Sequence, residues 1–107
     1  MLYELRIYET CPGRLNALHE RFQNHTLRIF ARHGIKAVAF WEDVIGVSNR
    51  LTYVLAWEDM AHRERAWTAF QSDPEWQTVR AKSEESGPIV ARVIATLMKP
   101  TAYSPLQ

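Results

Sequence analysis

The sequence predicts an α+β fold in which a four-stranded antiparallel sheet carries helices on one face. Three observations lead there: strand-like runs at both ends of the chain, a central pair of β-branched and aromatic runs joined by turn formers, and a stretch of three- and four-residue apolar spacing on either side of that pair. At 107 residues the chain is expected to form one domain over residues 1–107. Its 47% hydrophobic and 23% charged composition is that of a globular protein, so disorder is not expected.

Residues 2–9 alternate, with Tyr3, Leu5 and Ile7 on one side and Leu2, Glu4, Arg6 and Tyr8 on the other, which is strand period. Pro12-Gly13 ends the extended run, and because proline is tolerated in a first helical turn a helix is expected to begin about here. Leu15, Leu18, Phe22, Ile29 and Phe30 recur at helical spacing up to Gly34, a natural left-handed cap. Residues 36–45 and 51–58 form a hairpin around the turn formers of 46–50. The stretch 51–76 organises the rest. Its strand turns at Asp59 into an amphipathic helix, which breaks at Ser72-Asp73-Pro74 and restarts at Glu75-Trp76; Asp59 and Asp73 are the expected N-caps of a two-part helix over about 60–85. Gly87-Pro88 closes that helix, residues 89–99 make the last strand, and the tail carries the apolar Tyr103 and Leu106. The order βαββαβ is the split βαβ, or ferredoxin-like, arrangement.

Such a sheet should show polar residues on its uncovered face. This chain does not. The second strand has Val38, Phe40 and Val44 on one side and Ala37, Ala39, Trp41 and Ile45 on the other, and the fourth sets Ile89, Val93 and Leu97 against Val90, Ile94 and Met98. Four strands at ~4.8 Å spacing and ~3.3 Å rise give a face of roughly 400 Å², large enough to need a cover. The expected partner is the protein itself, as a homodimer packed sheet to sheet about a two-fold axis. Glu4 and Arg6, on the side opposite Tyr3, Leu5 and Ile7, are then the dimer-interface candidates, looking into the space between the sheets.

A net charge of +1 offers no long-range field for nucleic acid or anionic lipid. Arg14, Arg21, Arg28 and Arg32 stripe the first helix, but without the interleaved aromatics that nucleic-acid binding wants, so that partner is not expected. The longest apolar runs, 37–41 and 53–57, fall far short of the ~20 residues that span a bilayer, and neither a membrane span nor a signal peptide is expected. A lone Cys11 permits no internal disulfide and points to a reducing, cytoplasmic setting. No nucleotide loop, nucleophile elbow or HExxH occurs, and no cofactor is expected.

Tyr3-Glu4-Leu5-Arg6-Ile7-Tyr8 with Pro12-Gly13, then Phe40-Trp41 and Gly46, then Leu55-Ala56-Trp57 before Met60-Ala61-His62-Arg63, then Asp73-Pro74-Glu75-Trp76, together resemble the NIPSNAP family. The resemblance runs to Tyr103-Ser104-Pro105-Leu106; Ala39 stands where the family pattern has a glycine. It implies the dimeric α+β barrel, two ferredoxin-like sheets closing one barrel with helices outside, a superfamily that includes antibiotic-biosynthesis monooxygenases. It implies no agreed activity for single-domain members.

Four residues are candidates for ligand binding. Arg63 shares a helical stripe with Met60, Trp67 and Phe70, so its guanidinium must reach an acid such as Glu4 or Glu58, reach water, or hold an anion. His25 and His33 fall within the apolar stripe of the first helix, but ~12 Å of helix rise separates them and forbids a shared metal. No spacing makes a metal site, and no residue stands out as catalytic. Two functions follow as expectations: a small-molecule binding protein with a pocket between sheet and helices, extending to cofactor-independent, monooxygenase-like oxidation, served by Arg63, Trp67 and a histidine; or a non-catalytic dimeric interaction module.

Overall fold

The structure, a computed structural model, describes residues 1–107. The elements are β1 (Leu2–Thr10), α1 (Leu15–Arg21), a π-helical segment (Phe22–Thr26), α2 (Leu27–Arg32), β2 (Lys36–Glu42), β3 (Arg50–Trp57), α3 (Met60–Gln71), α4 (Pro74–Ser83) and β4 (Val90–Met98). All pairings are antiparallel, in the order β2-β3-β1-β4, which is the ferredoxin-like sheet the element order predicts.

Local chemistry explains the boundaries. Asp59 caps α3 by accepting from the His62 backbone N–H at 2.8 Å, and Asp73 caps α4 from the Glu75 N–H at 2.8 Å, with Pro74 following at the first helical position. The first helix starts later than Pro12-Gly13 implies, because Gly13 adopts φ +80° in a turn. Arg14 pins the start by donating to the Ser83 and Gly87 carbonyls at 3.1 and 3.2 Å. Between α1 and α2 the helix widens: the Leu27 N–H bonds the Phe22 carbonyl, and the Thr26 hydroxyl donates to the Arg21 carbonyl at 3.2 Å.

The second strand is shorter than expected. It stops at Glu42 because Asp43 Oδ2 accepts from Val47 N–H at 2.8 Å and Arg50 at 2.6 Å, closing a loop that leaves Val44 and Ile45 fully exposed. A side chain at Gly46 would collide with that carboxylate. A bulge between Ala37 and Ala39 also shifts the strand's register, so its simple alternation does not hold.

The two faces of β1 are the reverse of the sequence expectation. Glu4 lies opposite Leu55 and Arg6 opposite Tyr53, and directly opposed residues share a face. That face, with Leu51, Tyr53, Leu55 and Trp57, is the one that packs with Phe22, Phe30 and Phe70 of the helices. Glu4 and Arg6 are therefore buried beneath their own chain's helices, while Leu5, Ile7, Val54, Ile94 and Trp41 occupy the open face. The physical reason is that β3 brings the larger apolar set, and that Arg63 on α3 needs the Glu4 carboxylate. β4 is exposed on both sides for most of its length. Tyr3, on the open face, is covered by the tail, donating to the Gln107 carbonyl at 2.7 Å. No helix is long and apolar enough to cross a membrane.

Candidate functional site

Where β1 and β3 pass under α3, polar groups replace the usual apolar filling. Glu4, fully buried, accepts at Oε1 from Trp57 Nε1 (2.9 Å) and Arg63 Nε (2.7 Å), and at Oε2 from Arg6 Nη1 (2.7 Å) and Arg63 Nη2 (3.2 Å). Burial pushes its carboxyl up, but the hydrogen bonds from Arg63 and Arg6 outweigh it and hold Glu4 below the ordinary range. One carboxylate thus serves two guanidiniums, and the cluster keeps a net positive charge.

Arg6 continues the network toward solvent. Its Nε donates to the Tyr53 hydroxyl at 2.8 Å and its Nη2 to the Tyr8 hydroxyl at 3.2 Å, while Tyr53 donates to Tyr8 at 2.8 Å. Trp67 of α3 lies over the guanidinium, 4.5 Å from ring centroid to carbon. Burial works against the Arg6 charge; the Tyr8 and Tyr53 phenols and Glu4 more than compensate and raise its pKa. Burial in turn pushes the Tyr53 phenol well up.

This network floors a cleft of about 320 Å³ between β1 and β4 on one side and α3 and α4 on the other. Its walls include the aromatic Tyr8, Trp67, Phe70 and Trp76, and four arginines, Arg6, Arg21, Arg80 and Arg92, against one acid, Glu84. Of the two buried ones, Arg6 and Arg21, Arg21 is the less compensated. It is 7% exposed, its Nη1 reaches Ser83 Oγ at 3.2 Å and Glu84 only at 3.4 Å, and its Nε has no partner. Burial lowers its pKa, and Glu84 and Tyr8 offset only part of that. It stands over Trp76 at 5.2 Å and ends α1 where the π-helical segment begins. Such segments recur at functional sites.

Of the four ligand-binding candidates from sequence, the structure brings only Trp67 to this cleft; Arg6, expected at a dimer interface, lines it as well. Arg63 sits beside it, held by Glu4 rather than facing the cavity. His25 lies on the far side of Arg21, in a wider depression of about 850 Å³ between α1 and α4 whose walls are mainly charged or polar. His33 is occupied with Asp73 at 2.6 Å, at a corner where Arg32 also binds Asp73 and Glu75 takes Arg32 (2.7 Å) and Arg28 (2.9 Å). Arg28 and Arg32 of the first-helix stripe are therefore paired with acids at the start of α4 in the same chain, whereas Arg14 holds backbone carbonyls and Arg21 reaches Glu84 only at 3.4 Å. No group of three or more His, Cys, Asp or Glu is placed to hold a metal. Sequence reasoning missed Tyr8, Arg21, Tyr53 and Trp76. Tyr8 was signalled by its two-residue spacing from Arg6 on the same strand face, whereas Tyr53 and Trp76 come from elsewhere in the chain.

The fold has counterparts. An uncharacterized NIPSNAP-like domain protein from Burkholderia xenovorans superposes with a TM-score of 0.86 at 23% identity, covering 97% of this chain and 88% of that one. A NIPSNAP family protein of unknown function from Agrobacterium tumefaciens does so at 0.87 and 22%, covering 100% and 94%. More distantly, an antibiotic biosynthesis monooxygenase shares the fold at a TM-score of 0.64 and 11% identity, covering 94% and 99%. No functionally curated protein matches significantly. The family model described as NIPSNAP matches residues 3–105, nearly the whole sequence, and the chain belongs to the NIPSNAP family.

Proposed function

We propose that the protein is a homodimer that binds a small anionic molecule with a flat apolar body in the cleft between β1, β4, α3 and α4. The observation that carries this is the imbalance of the cleft: four arginines against one glutamate, set among aromatic walls, with Arg21 buried and incompletely partnered. A buried guanidinium is costly until a carboxylate or phosphate meets it, and planar guanidinium groups suit both. The cavity, about 320 Å³, stands at the small end of ligand pockets. The wider depression by His25 has the larger volume but no Phe, Tyr or Trp in its walls. The homodimer rests on the apolar open face and on a β4 bare on both sides.

Native mass spectrometry of the purified protein, followed by thermal shift with 2-naphthoate and 2-naphthylmethylamine, tests the reading. A dimer whose Tm rises with the anion and not with the cation supports it; indifference to both overturns the ligand, and a monomer overturns the dimer. A narrower form of the proposal is cofactor-independent, monooxygenase-like oxidation of the bound molecule. Its support is the fold shared with the monooxygenase and the aromatic cleft, and oxygen uptake in the presence of a retained ligand is its test.

The second reading is a non-catalytic interaction module. It is favoured by the exposed apolar loop tip, Val44 at 98% and Ile45 at 97%, with Tyr103 at 88% on the tail. Bare subunits in the mass spectrum and no response to either probe would favour this reading over the first.

A further inference from the structure

The geometry points to the Tyr8 hydroxyl as a hydrogen-bond donor of fixed direction in the cleft, so that the ligand meets it with an acceptor oxygen, a carbonyl or a carboxylate. The inference rests on the cleft being a ligand site, and it adds the chemistry by which that site selects.

The direction follows from counting protons. An arginine has five N–H donors and no acceptor, so both of its contacts here are donations: Nε to Tyr53 and Nη2 to Tyr8. Tyr53 is fully buried, and its own proton must still find an acceptor. The Tyr8 oxygen, at 2.8 Å, is the group that can take it. The reverse arrangement, with Tyr8 donating to Tyr53, would leave the Tyr53 proton orphaned in the core. Tyr8 therefore receives one proton from Arg6 and one from Tyr53. Its own O–H has no acceptor within the protein, and the residue lies half-buried on the cleft wall.

The chain thus runs one way: Arg6 to Tyr53, Tyr53 to Tyr8, and Tyr8 to whatever occupies the cleft. A guanidinium at the head of the chain polarises both phenols and strengthens the final donor. A ligand presenting N–H at that point would set donor against donor. One presenting a C=O completes the network. Arg21 lines the same cleft, and its guanidinium, which can only donate, has the same preference. Both groups therefore ask for oxygen on the ligand, and Trp67, Phe70 and Trp76 ask for a flat body beside it.

Two near-isosteric neutral probes isolate the Tyr8 contribution: 2-acetylnaphthalene, and 2-isopropenylnaphthalene, in which C=CH₂ replaces C=O. Binding to the full-length protein is followed by quenching of tryptophan fluorescence. The ketone should bind about tenfold more tightly than the alkene, the discrimination expected when a donor is left unpaired. In Tyr8→Phe that ratio should fall, leaving only the part that the arginines of the cleft supply. Because Tyr8→Phe also strands the buried Tyr53 proton, Tyr8→Phe/Tyr53→Phe is measured beside it, and it should show the same loss of discrimination. Equal binding of ketone and alkene by the wild type overturns the assignment. So does an unchanged ratio in either folded variant. Absence of binding by both probes and by 2-naphthoate overturns the cleft as a ligand site, and this inference with it.

Discussion

Glu4 has the most to lose from a single substitution. It is fully buried and is the only carboxylate shared by Arg6 and Arg63. Glu4→Gln preserves the shape but removes the charge, leaving two poorly compensated guanidiniums beneath α3 at a cost of about 3–5 kcal/mol. Urea unfolding of the variant reads that loss directly. The pH dependence has a definite sign. Burial raises the Glu4 pKa, yet the hydrogen bonds from Arg63 and Arg6 bring it below the ordinary 4.5. A carboxyl with its folded pKa depressed contributes stability that is complete above its unfolded pKa and is lost as pH falls through the folded one. The wild type should therefore lose stability more steeply than Glu4→Gln as the pH falls below 4.5. Parallel acid limbs for the two proteins would count against the arrangement. At this scale the sequence was only half readable. Alternation along β1 put Glu4, Arg6 and Tyr8 on one side, but which side faces the helices depends on pairing with β3, a contact between residues some fifty positions apart. Arg63 was readable as a charge in need of a partner, because its neighbours at helical spacing are apolar.

The elements were better foretold where their determinants are local. Asp59 and Asp73-Pro74 mark helix starts by themselves, since a cap acts on backbone groups two or three residues away. The π-helical segment left no such mark, because Leu18, Phe22, Ile29 and Phe30 keep spacings that an ordinary helix also produces. The loop after β2 was missed for another reason: Val44 and Ile45 have strand-forming side chains, and only the Asp43 contacts to Val47 and Arg50 turn the backbone away. The two caps also differ in what they hold. Asp59→Ala removes a cap alone and should cost about 1 kcal/mol. Asp73→Ala should lower the unfolding midpoint further, because the same carboxylate binds Arg32 and His33 and joins the first helix to α4. Asp73→Asn should fall between wild type and Asp73→Ala, as an asparagine can still cap. If Asp73→Ala proved no worse than Asp59→Ala, the corner would contribute nothing beyond its cap.

At the scale of the molecule, the apolar open face was apparent from composition: neither side of the second and fourth strands is polar. The homodimer proposed from it has a direct test. Ile94 lies opposite Ile7 at the junction of β4 and β1, on that face. Ile94→Glu should convert the dimer to a folded monomer, seen as a halved mass by light scattering with an unchanged circular dichroism spectrum. An unchanged mass would place the interface elsewhere. The strand order β2-β3-β1-β4 bears as well on how the protein is made. β1 is an interior strand, yet it leaves the ribosome before both of the strands that flank it. Until β3 arrives it has no neighbour, and until β4 arrives one of its edges still offers unpaired N–H and C=O groups. A nascent chain stalled before Val90 would therefore display an open, apolar strand edge, the feature that invites aggregation or capture by chaperones. Translation past β4 is what retires that edge.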